Sequence, residues 1–139
     1  MTYDDNNVFA KILRDELPSQ RLHEDDHAIV IMDVMPQADG HLLVIPREPA
    51  ETLFDLSPES AAHCIQLAQT MGRALQKAFE REGILIMQLN GKQAGQTVPH
   101  FHIHVVPTSL QTLLKKGHGA DMEDPEKLAE LADRIRRAL

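Results

Sequence analysis

His100-Phe101-His102-Ile103-His104-Val105-Val106-Pro107 is the stretch on which the reading of this chain turns. Side chains alternate between the two faces of a strand. As a strand, the run presents three imidazoles on one face, about 6.6 Å apart along the backbone. Phe101, Ile103 and Val105 then point the other way, into apolar packing. Imidazole serves as nucleophile, proton carrier or metal ligand near neutral pH, so a row of three calls for a function.

Outward from this strand, the chain alternates between strand and helix patterns. Residues 84–89, Ile-Leu-Ile-Met-Gln-Leu, read as a strand, and Asn90 to Pro99 as a polar, Gly-containing loop. Ala28-Ile29-Val30-Ile31-Met32-Asp33 and His41-Leu42-Leu43-Val44-Ile45-Pro46 read as an antiparallel hairpin, its long loop marked by Met35-Pro36 and Asp39-Gly40. Ser57-Pro58-Glu59 is a helix start: an N-cap serine, proline at the first helical position and an acid in the first turn. Apolar residues from Ala61 to Phe79 then recur at three- and four-residue spacing, and Gly83 fits the residue after the cap. Val8 to Leu13 predicts a short helix, and Asp124-Pro125-Glu126 opens a last one with Leu128, Leu131, Ile135 and Leu139 on one side. Residues 115–123 read as a mobile connection. The order predicts an α+β fold: an antiparallel sheet of about five strands, a long helix (about 58–82) and a C-terminal helix (about 125–138).

The 139 residues suit one domain, 1–139, and 42% hydrophobic residues supply a core. A net charge of −7 argues against nucleic acid as a partner. The N-terminus is polar and acidic, with no signal-peptide pattern, and no apolar run reaches membrane-span length. With a single cysteine, Cys64, no intrachain disulfide can form, and the cytoplasm is the expected location. Cys64 reads as a core residue; His23, His27, His63 and His118 read as surface, and Lys115-Lys116 as a solvated pair.

Three readings of the histidine strand compete. Three buried structural imidazoles would each cost about 1–3 kcal/mol if unsatisfied. A zinc ion could use His-x-His, but neither Cys nor acid lies within the strand, and only His41 or a distant carboxylate could complete the set. A nucleophilic imidazole can split phosphoryl or nucleotidyl transfer into two easier steps. Its neighbours would then donate to phosphate oxygens, and Gly95-Gln96-Thr97-Val98-Pro99 would supply an anion-cradling loop.

Asn90 to Pro107 resembles the signature of the histidine triad (HIT) family, His-x-His-x-His with apolar residues between and after. Phe9-Ala10-Lys11-Ile12, Glu24-Asp25-Asp26, Asp33 with Pro36-Gln37-Ala38, and Gly40 to Pro46 are similar to that family in order and spacing. The match covers about residues 6–108, leaving 109–139 as a C-terminal extension without a recognised pattern.

The resemblance implies that His102 attacks the α-phosphate of a nucleotide to form a nucleotidyl-histidine, which water then releases. It implies that His100 orients His102, that His104 bonds phosphate oxygens and that His41 supports the triad. Gly95, Gln96 and Thr97 match the phosphate loop, and Asn90 a position touching the ribose–phosphate. Asp33 matches the acceptor of the ribose hydroxyls, a role open to any acid ending an apolar strand; the alternative is a turn-starting Asp. Phe9, Ile12, Ile31 and Val34 match a base pocket, their alternative being ordinary core. Members with structural zinc carry Cys-x-x-Cys where this chain has Asn7 and Ala10, so no metal and no cofactor is expected. The implied activity is a hydrolase or transferase acting on a purine nucleoside phosphoramidate or related adenylated compound, working as a homodimer. A dinucleoside polyphosphate hydrolase and a nucleotide-sensing module without turnover are the alternatives.

Overall fold

The computed structural model describes residues 2–116 and 121–139. Their elements are α1 (Val8–Leu13), β1 (Arg21–Glu24), β2 (Ala28–Met32), β3 (Leu42–Pro46), α2 (Pro58–Ala78), β4 (Leu85–Met87), β5 (Ile103–Val106), α3 (Leu110–Lys116) and α4 (Pro125–Arg136). The strands form one antiparallel sheet in the order β1-β2-β3-β5-β4. The α+β architecture is the one the sequence predicts, and β5 lies inside the sheet, between β3 and the edge strand β4.

Alternation sorts the sheet into two apolar layers. Val30, Met32, Leu42, Val44, Ile103 and Val105 meet α2 and α4 through Cys64, Leu67, Met71, Leu75, Leu128 and Ile135. Ile29, Ile31, Leu43 and Ile45 face the opposite side, against Phe9 and Ile12 of α1. This second layer is thin, and it is the face that His102 and His104 share. Burial pushes the Cys64 thiol up to about 12, so it stays an inert thiol.

Several boundaries differ from the sequence expectation. The strand expected over 100–107 is regular only from Ile103. The Phe101 N–H goes to the Ala50 carbonyl, and the His100 carbonyl is taken by the His102 ring, so this backbone leaves the ladder. The long helix ends at Ala78, not near 82. Glu80 rather than Gly83 takes the left-handed conformation, with φ +50°. The Arg81 N–H closes onto the Gln76 carbonyl, the bond of a Schellman turn. Tertiary contacts fix this point: Arg134 Nε donates to the Ala78 carbonyl and its guanidinium lies over the Phe79 ring. That ring packs where a Cβ on Gly40 (φ +90°) would sit, 2.5 Å from Phe79 Cε2.

β1 and α3 have no counterpart in the expected elements. β1 is polar apart from Leu22, so alternation gives little signal. α3 covers part of the segment read as a mobile connection, whose residues 117–120, His118 among them, lie outside the described residues. Leu139, expected on the buried side of the last helix, is exposed.

Candidate active site

α1 exists because Asn7 caps it, Oδ1 accepting the Ala10 N–H at 2.9 Å. Asn7 and Ala10 thus form a capping pair at the start of the helix. The cap seats Phe9 against the imidazole row, edge-on to His102 with ring centroids 4.8 Å apart. His102 and His104 are also 4.8 Å apart. His41, the last residue before β3, reaches the row from the neighbouring strand and completes a cluster of four imidazoles.

Groups of fixed polarity determine the protons on these rings. A backbone carbonyl only accepts and a backbone N–H only donates. The His102 Nδ1 lies 2.7 Å from the His100 carbonyl, so the proton is on Nδ1 and Nε2 carries the lone pair, which nothing among the described residues takes up. The His100 Nε2 lies 2.8 Å from the Pro46 carbonyl, so the proton is there and Nδ1 accepts. Its donor is the Tyr3 hydroxyl at 2.5 Å. At the other end, His41 Nδ1 accepts the Gln37 N–H at 3.0 Å, which leaves its proton on Nε2. That proton faces His104 Nδ1 at 2.9 Å, with Asp33 Oδ2 3.3 Å away. His104 therefore carries its own proton on Nε2.

Burial keeps all four rings neutral. It drives His41 and His100 down to about 4 and His104 to about 3, and lowers His102 as well. The positive charge that His102 would carry adds to the effect on the other three, while the Pro46 carbonyl opposes it at His100. Asp33 is pushed the other way, up to about 6, by burial, against the stabilising Met35 N–H.

Asp33, His41 and His104 offer ligand atoms within 4.8 Å of one another, a spacing that suits a small cation. In the hydrogen-bonded state, though, the His41 Nε2 proton occupies the centre of that group. A metal there would have to displace it.

The other sequence-predicted residues divide into two groups. Phe9, Ile12 and Ile31 line the same layer as the imidazoles; Val34, just past Asp33, is exposed. The loop of Asn90 to Pro99 is held largely by its own amides. Gln96 is buried, its Oε1 accepting the Gly91 N–H and its Nε2 donating to the carbonyls of Glu51 and Val98. Asn90 pairs with Gln88 and accepts the Leu53 N–H. Gly95 takes φ +104° to turn the loop, and Thr97 is exposed on it. Tyr3 was missed from the sequence: a tyrosine 97 positions from its partner carries no periodic signal.

The arrangement offers a free imidazole lone pair beside an N–H donor, in a desolvated row flanked by a carboxylate and an apolar wall. The chain is similar to known proteins. Residues 14–110 match the family model of the HIT domain. The chain is 31% identical to Protein hit of Bacillus subtilis, over 97% of this chain and 95% of that one. It is 33% identical to the adenosine 5'-monophosphoramidase HNT1 of Saccharomyces cerevisiae, over 94% of this chain and 80% of that one. A Hit-like protein of Bartonella henselae superposes with a TM-score of 0.88 at 40% identity, each chain covered in full.

Proposed function

The chain belongs to the HIT domain family, and from that premise we propose a nucleotide hydrolase that cleaves at the α-phosphate of a purine nucleoside phosphoramidate or related adenylated compound. His102 Nε2 attacks phosphorus; the Nε2–P bond forms and the bond to the leaving amine breaks. Water then attacks the nucleotidyl-histidine, the Nε2–P bond breaks and the nucleoside monophosphate leaves. The departing amine takes a proton from solvent, and the attacking water returns one to solvent in the second step, so one water is consumed overall. The His104 Nε2–H stabilises the phosphoryl oxygens as charge builds, and His41 holds His104 in the donating tautomer. His100 aims His102 through its carbonyl. Asp33 accepts the ribose hydroxyls, and Phe9, Ile12, Ile31 and Val34 form the base pocket. Gly95, Gln96, Thr97 and Asn90 shape the loop beside the phosphate.

One observation supports this above the rest: among the described residues nothing bonds the His102 Nε2 lone pair, while every other nitrogen that fixes the row is hydrogen-bonded or assigned a proton by its partner. Incubation with an AMP-amide, followed by quenching and intact-mass measurement, is the test. Wild type should release AMP and yield a trappable adenylyl adduct that His102→Ala lacks. No AMP and no adduct would defeat the proposal. Faster cleavage of diadenosine tetraphosphate would move it to the dinucleoside polyphosphate hydrolases; tight AMP binding without turnover would make it a sensor.

The same family membership supports a homodimer. The edge strand β4 leaves a ladder unpaired, and beside it Leu53, Ile65 and Ile86 line an apolar groove with Ile65 and Ile86 half exposed. Light scattering should give twice the chain mass and Ile86→Lys a monomer; a monomeric wild type would refute the assembly.

A further inference from the structure

We propose that Tyr3 is a positioning residue for the reaction, locking His100 in the one tautomer that lets its carbonyl hold the nucleophile. The inference rests on the nucleophilic reading of His102 given above.

The chain of contacts is continuous and directional. Asn7 Nδ2 donates to the Tyr3 oxygen at 2.8 Å and to the Asp4 carbonyl at 2.7 Å. With one lone pair taken, the Tyr3 hydroxyl proton points at His100 Nδ1, 2.5 Å away. His100 Nε2–H then spans to the Pro46 carbonyl at the end of β3. The ring is thus tied at both nitrogens, between the N-terminal segment and the sheet, and only 1% of its surface is exposed. Tyr3 also meets this ring edge-on, centroids 5.6 Å apart.

The backbone makes this matter. His100 precedes the regular ladder of β5, and its carbonyl is what accepts the His102 Nδ1 proton. Without the tyrosine hydroxyl, His100 Nδ1 is a buried acceptor lacking a donor. The ring can then relieve itself only by changing tautomer or turning, and either move gives up the Pro46 bond. The His100 carbonyl loosens with it, and His102 Nε2 no longer holds its line toward phosphorus. A 1 Å misplacement of reacting groups can cost about 100-fold; a loosened rather than lost contact should cost less.

Tyr3 bonds the His100 ring, and the His100 carbonyl bonds His102, so on this proposal the effect belongs in kcat and not in binding. Tyr3→Phe keeps the ring and removes the hydroxyl. It should lower kcat on an AMP-amide about tenfold with KM changed less than twofold. Long-range 1H–15N correlation spectra should show His100 as a single Nε2–H tautomer in wild type and as a mixture in Tyr3→Phe. The wild-type spectrum stands even if the variant folds poorly: a wild-type His100 protonated on Nδ1 overturns the proposal. So does a Tyr3→Phe variant with unchanged kcat, or one whose KM rises while kcat holds. His102→Ala in parallel separates the two ideas. If it retains activity, the nucleophile reading fails, whereas the His100 tautomer still reports on Tyr3.

Discussion

Among the described residues there are two histidine clusters, and they differ in what holds them. His41, His100, His102 and His104 are tied to backbone groups and to one another, away from solvent. His23 and His63 instead grip one carboxylate, Asp25 Oδ2, at 2.6 and 2.7 Å, with 36% and 30% of their side chains exposed. Burial pushes Asp25 upward, but the hydrogen bonds of His23, the His27 N–H, His63 and the Ala28 N–H outweigh it and hold the acid below the usual range. The carboxylate there is saturated and ties β1, β2 and α2 together. In the first cluster a buried carboxylate is raised and, among the described residues, one imidazole lone pair is left over. Imidazoles become chemically available where the backbone, rather than an acid, fixes their protons.

The largest effect should separate the clusters outright. His102→Ala should reduce AMP release at least about 1,000-fold, whereas His63→Ala should change it less than twofold. Comparable losses would erase the distinction; steady-state rates on an AMP-amide decide it. Asp33→Ala comes next. Losing a hydrogen bond to a charged acceptor is worth about 1.5–3 kcal/mol. Wild type should therefore prefer a ribonucleotide over its 2′-deoxy analogue by about ten- to a hundredfold, and the variant should lose that preference. Equal preference in both proteins would assign Asp33 to the turn alone.

The acid response of stability should be smaller and of mixed sign. His41, His100 and His104 sit at about 4, 4 and 3 in the fold, against 6.5 when unfolded. The unfolded chain takes up their protons first, so their contribution is complete above pH 6.5 and is lost as pH falls from there toward 4. Asp33, at about 6 against 3.8, protonates first in the fold and opposes the loss over the same window. Melting temperature should thus fall from pH 7 to 5. The fall should steepen in Asp33→Asn, which removes the opposing group, and flatten in His104→Asn. A slope unchanged by both substitutions would mean that these groups do not titrate in the buried row.

Much of this was legible beforehand because it depends on local periodicity. The strand alternation of 100–105 and the helix start at Ser57-Pro58 act within a few residues. So the sheet face of the imidazoles, the Ser57 cap, which accepts the Ser60 N–H, and the buried stripe of α2 follow the pattern. The C-terminus of α2 does not, since Arg134, more than fifty residues further along the chain, bonds the Ala78 carbonyl and covers the Phe79 ring. β1, too, is a strand because β2 offers it a partner, not because its own pattern demands one.

The sequence by itself determined which face of β5 carries His104 and which carries Ile103 and Val105, since a strand's period is two whatever surrounds it. The tertiary structure alone decided what each imidazole is. The Pro46 carbonyl and the Tyr3 hydroxyl come from remote parts of the chain and the Gln37 N–H from the turn before His41, and a ring with two nitrogens able to hold the proton takes it where those partners require it.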